Sequence, residues 1–167
     1  MFKVGDVVKY GTNGICKVTD IAVRDFLGAE TEYYELKTTT GFESTFYVPT
    51  QNVALTSKMQ HLLSKEEAVR IIGEINDKSL EWIEDDKKRA AVYGTLLKSN
   101  DRRDLLRLTG LLYMKKQELE EKGRKFHISD ERIMNEAERI IADELSAVFG
   151  IKKSEVPAFI LGILNSK

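Results

Sequence analysis

Val7-Val8-Lys9-Tyr10-Gly11-Thr12-Asn13-Gly14-Ile15-Cys16-Lys17-Val18 decides the character of the first third of the chain. Two β-branched runs flank Asn13-Gly14, a dipeptide favoured in type I′ hairpin turns because both residues tolerate a positive φ. The stretch therefore reads as two antiparallel strands, the second continuing to Val23. Its inward set changes phase between Val18 and Ile21, which predicts a bulge or a bend. Further turn signals follow at close spacing. Gly28 ends a loop, residues 31–37 read as a third strand, Gly41 turns, residues 44–48 read as a fourth that Pro49 stops, and a very short fifth is expected near Val53. Four or five short strands in about fifty residues suit a small SH3-like or Tudor-like β-barrel.

Beyond Ala54 the punctuation becomes helical. Ser64 and Glu67 form a capping box ahead of Ala68, Val69, Ile71, Ile72 and Ile75. Asn76-Asp77 interrupts that helix, and a second is expected from Leu80 through Tyr93 to Leu97. Ser99-Asn100-Asp101 caps a third, whose Leu105, Leu108, Leu112 and Leu119 share one face, and Gly123 closes it. Ser129 is expected to cap a fourth, with Gly150 past its end. Ser154, Glu155 and Pro157 begin a short last helix. The fold class is α+β: a small barrel domain over residues 1–55, then an all-α domain over residues 64–167.

With 42% hydrophobic and 32% charged residues, the 167-residue chain has a globular composition. The longest apolar stretch, residues 158–164, is too short to span a bilayer, and the N-terminus carries no signal-peptide run, so a cytoplasmic location is expected. The net charge of -1 hides a gradient: residues 86–116 carry 9 Lys/Arg against 3 Asp/Glu, whereas residues 1–53 carry 5 against 7. Only the former stretch is fit to meet phosphate.

Catalytic and metal chemistry are thinly provided. His61 and His127 stand in no ligand spacing, the single Cys16 sits in an apolar strand, and no glycine-rich phosphate loop is present. Asp85-Asp86 at a helix start suits the helix macrodipole better than a cation. No metal, no cofactor, no small-molecule substrate and no enzymatic activity are expected. Cys16 reads as a small core residue.

The lone Trp82 precedes the basic cluster Lys87-Lys88-Arg89. On a continuous helix Trp82, Arg89 and Tyr93 would fall at i, i+7 and i+11, one face with a cation between aromatics. Two readings stand. Trp82 packs a helix junction and the cations form a solvated face, which composition alone favours because a lone tryptophan is usually buried. Alternatively, Trp82 is an apolar plate set against DNA, exposed in the free protein, with Lys87, Lys88 and Arg89 placing the phosphates.

Residues 2–10, the Gly14 turn, Tyr33 to Lys37, and Val48-Pro49 with Asn52 resemble the N-terminal domain of CarD/CdnL transcription regulators, shared with transcription-repair coupling factors. The second half, with Trp82, a basic patch and the leucine-rich residues 104–113, resembles the helical domain of CarD itself. The resemblance implies that an exposed strand pairs with the RNA polymerase β subunit. Its contact residues would be Arg24, Thr45, Phe46, Tyr47 and Val48, with Tyr47 standing where some members carry arginine. It further implies that Trp82 wedges into promoter DNA at the upstream edge of the bubble, although Ile83 to Asp86 separate it here from the cations that follow it at once in many members. A monomeric, non-catalytic regulator that stabilises the open promoter complex is therefore expected. Two other readings remain: a protein-only adaptor that binds polymerase and recruits another protein, and a single-strand nucleic-acid binder stacking bases on Phe42, Phe46 and Tyr47.

Overall fold

The structure, a computed structural model, describes residues 1–75, 80–99 and 101–166. The expected break at Asn76-Asp77 lies outside them. The chain divides into two compact units, Met1–Leu62 and Leu63–Lys167.

The first unit is an antiparallel sheet of β1 (Val7–Tyr10), β2 (Ile15–Asp25), β3 (Glu30–Thr38), β4 (Thr45–Pro49) and β5 (Met59–His61), in the order β4-β3-β2-β1-β5. Among the described residues β4 and β5 do not pair, so the expected closed barrel is not what the ladder shows: β4 remains an edge. The hairpin between β1 and β2 also differs from the two-residue turn predicted. Its loop takes four residues, closed by Asn13 N–H donating to the Tyr10 carbonyl, with Gly11 and Gly14 at positive φ. At Val53 the chain forms a helical turn, α1 (Val53–Thr56), because the Asn52 side chain accepts from Leu55 N–H. The fifth strand comes later, where residues 59–61 find β1, so this unit runs past residue 55, where the sequence reading ended it.

Val8, Tyr10, Cys16, Val18, Tyr34, Leu36, Val48 and Met59 form the core of this unit. The predicted bulge is present. Val18 pairs Leu36 but Asp20 pairs Glu35, leaving Thr19 as the extra residue, its hydroxyl 2.9 Å from Glu35 Oε1. One extra residue moves every later side chain to the opposite face. Cys16 and Val18 point inward before it; afterwards Ile21 packs against the core, and Asp20 and Arg24 lie on the outer face beside Glu35.

The second unit contains α2 (Lys65–Gly73), α3 (Asp86–Lys98), α4 (Arg102–Glu121), α5 (Ile128–Phe149) and α6 (Val156–Asn165), with a 3-10 turn before α6. The Ser64/Glu67 capping box forms as read, Asp101 caps α4, and Gly150 ends α5 in the left-handed conformation. The α5 cap is His127 rather than Ser129: its imidazole accepts from Ser129 N–H. Leu105, Leu108 and Leu112 of α4 are buried as the stripe predicts. Glu144 of α5 is buried and binds Arg102 at 2.6 Å while also accepting from Leu63 N–H, which ties the start of the unit to two of its helices.

Cys16 provides a direct check of the sheet's interior. It is wholly buried, and burial pushes its thiol up to about 11. The thiol is protonated in folded and unfolded chains alike below pH ~8, and an unfolded thiol ionises near ~8.5. Stability from keeping it neutral should therefore decline as pH rises from ~8.5 through the folded value. Native protein at pH 8 is expected to resist thiol-reactive dyes that label it at once in denaturant, as a timed absorbance assay would show.

Candidate partner and nucleic-acid interfaces

The β4 edge follows from strand parity. Thr38 N–H donates to the Ser44 carbonyl and Thr50 N–H to the Glu32 carbonyl, so even-numbered residues of this segment bond to β3. The main-chain groups of Thr45 and Tyr47 consequently point away from the sheet. Side chains obey the same alternation. Thr45 and Tyr47 are exposed, whereas Val48 is fully buried and Phe46 packs on Tyr10 with ring centroids 5.4 Å apart. Phe46 and Val48, expected as partner contacts, thus serve the core through their side chains, because a half-buried strand can offer only alternate residues outward.

Arg24 reaches the same outer face. Its guanidinium lies 3.2 Å from Asp20 and 3.0 Å from Glu35 and is stacked 5.4 Å from the centre of the Tyr47 ring. Phe26 adds an edge contact to both Tyr47 and Tyr33, at 4.9 and 5.0 Å. The sequence reading missed Phe26, though an apolar Phe26-Leu27 pair inside a polar turn was a usable signal. Phe42, 96% exposed, lies in the turn before β4. With Phe46 turned inward, Phe42, Phe46 and Tyr47 do not make one stacking platform.

The second cluster is in the helical unit. Helix α3 starts at Asp86 rather than near Leu80, because the Asp85 side chain accepts from Lys88 N–H and caps it. Trp82 is therefore outside the helix, and its meeting with Arg89 and Tyr93 is tertiary rather than a shared helical face. The Arg89 guanidinium sits 4.3 Å over the indole, Lys115 Nζ of α4 lies 5.1 Å from it, and the Trp82 and Tyr93 rings meet edge-on at 6.3 Å. Lys115 and Asp130 come from distant helices, and no local pattern marked either.

Arg89 is only 3% exposed. Its Nε and NH2 bind the two oxygens of buried Asp130 at 2.8 and 2.7 Å, NH2 also binds Asp86 at 2.8 Å, and NH1 donates to the Ile83 and Glu84 carbonyls. The Asp130 hydrogen bonds, more than the added pull of Asp86, hold its proton above the ordinary arginine range against the cost of burial. A guanidinium so engaged has no free donor face for phosphate, so Arg89 differs from the expected DNA contact. Lys87 and Lys88 are exposed. Trp82 is half-buried, neither the free plate nor the fully buried residue that sequence alone left open.

The first unit has an open sheet edge with an aromatic-cationic face, and the helical unit has exposed cations on the helix that braces Trp82; among the described residues no group of His, Cys, Asp or Glu could hold a metal ion. Among them, too, no helix is long and apolar enough to cross a membrane. Residues 2–63 match the model of the CarD-like/TRCF RID domain. The chain thus carries a CarD-like/TRCF RID domain at its N-terminus, a domain that suggests interaction with RNA polymerase, and the match ends where the helical unit begins. CarD-like proteins are generally non-catalytic whereas transcription-repair coupling factors are enzymes, and no catalytic domain is found here. No curated protein matches the chain.

Trp82→Ala should cost roughly 2 kcal/mol, between the near-zero value of an exposed site and the ~3–5 kcal/mol of a fully buried aromatic, since a partly buried ring and its two cation–π contacts, with Arg89 and Lys115, are lost. Denaturant unfolding of wild type and variant gives that figure directly.

Proposed function

We propose that this protein is a transcription regulator that binds the RNA polymerase β subunit through the β4 edge and favours the open promoter complex through a helical-unit contact with upstream-edge DNA. The observation that carries the reading is the coincidence of a CarD-like/TRCF RID domain with an unpaired β4 edge inside it. Strand addition draws affinity from main-chain hydrogen bonds, which Thr45 and Tyr47 offer, while Arg24, Tyr47 and Phe26 give the contact its side-chain character. In the helical unit Lys87 and Lys88 meet phosphate and Trp82 packs against a distorted base step. Two cations bind free DNA weakly. Attachment to polymerase raises the local concentration and supplies the missing affinity. The protein acts by preferring one state of the promoter over another, which requires no chemistry of its own.

The adaptor reading gains from one observation: Arg89 is engaged internally and Trp82 is half-buried, so fewer groups face DNA than the sequence implied. Under it the helical unit recruits a protein instead.

Thr45→Pro removes an outward N–H and leaves the β3 ladder intact, so it should abolish polymerase capture by the full-length protein without lowering its melting point. Arg24→Glu should weaken capture too. Wild-type capture by both folded variants would remove this edge as the interface.

Replacing Lys87 and Lys88 by Gln should flatten the salt dependence of promoter-complex stabilisation by up to roughly two phosphate contacts' worth of slope. Trp82→Leu, which keeps an apolar side chain against Arg89 and Tyr93, should shorten the open-complex lifetime. An unchanged salt slope together with an unchanged lifetime would favour the adaptor.

A further inference from the structure

Residues 80–85 have no helix or strand of their own, yet their main chain is bound at four points by two side chains of α3. Tyr93 hydroxyl donates to the Glu81 carbonyl at 2.8 Å and accepts from Ile83 N–H at 3.3 Å; Arg89 NH1 donates to the Ile83 and Glu84 carbonyls at 3.0 and 3.3 Å. These contacts bracket Trp82 on both sides along the chain. Arg89 in turn is fixed by the forked pair with Asp130 of α5, and its guanidinium covers the indole. A buried ion pair is a poor source of stability, because an apolar replacement often does as well. Its distinctive capacity is direction: five donors in a rigid plane can hold a carboxylate, two carbonyls and a ring at once, which lysine cannot.

We infer that Arg89, locked by Asp130 and assisted by Tyr93, is a positioning residue that presets the Trp82 segment for its contact with DNA. The inference rests on the DNA-contact reading of Trp82. A tryptophan carried on an unanchored loop would have to be ordered at the moment of contact; here the ordering is built into the free protein. Arg89 acts through Trp82 rather than on phosphate, which explains a cation placed within the basic cluster but turned inward.

Trp82 is the only tryptophan, so its emission reports this segment alone. The test uses the full-length chain with Arg89→Lys, which keeps the charge but loses the fork, and Tyr93→Phe, which keeps the ring but loses the hydroxyl. Each variant is first checked for folding by far-ultraviolet circular dichroism, and Tyr93→Phe carries the test should Arg89→Lys fail that check. Acrylamide quenching of Trp82 should rise roughly two-fold or more, as fits a segment released from a rigid anchor. The open-complex lifetime on polymerase should shorten alongside it, while polymerase capture stays at the wild-type level. Folded variants with wild-type quenching would overturn the lock, whatever the lifetime does. Increased quenching with an unchanged lifetime, where Trp82→Leu shortens it, would show that presetting is not used and would also overturn the inference. An unchanged lifetime in Trp82→Leu itself would instead sink the DNA reading, while quenching would still decide whether the lock exists.

Discussion

The buried pair between Arg89 and Asp130 organises the part of the helical unit that carries Trp82. It joins α3 to α5, and through the remaining donors of the same guanidinium it holds the segment that carries Trp82. Burying two charges is costly unless each is fully hydrogen-bonded, and here the carboxylate receives a fork while the guanidinium also reaches two carbonyls and Asp86. With that pair in place Tyr93 is sealed beneath the indole, and Leu108, Leu112 and Met134 close the cluster below. Lys87 and Lys88, on the same helix but directed outward, are left for solvent or phosphate.

The sheet obeys a comparable geometric constraint. A single extra residue, Thr19, moves Arg24 to the outer face, where Tyr47 of the edge strand meets it. Without the bulge the alternation would turn Arg24 to the other face of the sheet, away from Glu35 and Tyr47. The bulge therefore lets one strand serve two tasks, core packing in its first half and, in its second, the outer face on which Arg24 meets Tyr47.

Features encoded by neighbouring residues were legible in the sequence. The phase change at Thr19, the Ser64/Glu67 box, the leucine stripe of α4 and the glycine ending α5 each depend on a few adjacent side chains. Errors arose where a local signal competed with another or where the partner was remote. Asp85 captured the start of α3 and cut Trp82 off from the helix; Asn52 turned the region of Val53 into a helical turn. Arg89 read as a surface cation because its acidic partner lies 41 positions away on another helix. The inward side chains of Phe46 and Val48 were recoverable from alternation, but only once the strand's facing was known. Behind the candidate sites, the strand at residues 45–49 was legible and the Arg89–Asp130 pair was not.

The two units are proposed to have different targets, polymerase for the β4 edge and DNA for the Trp82 region. Site-specific photo-crosslinking tests this most directly. A photoreactive side chain is placed at Thr45 in one preparation and at Lys87 in another, both exposed positions, and each is irradiated within a polymerase–promoter assembly. Thr45 is expected to capture the polymerase β subunit, and Lys87 promoter DNA near the upstream edge of the bubble. Capture of protein alone from Lys87, with Thr45 still on polymerase, would contradict this.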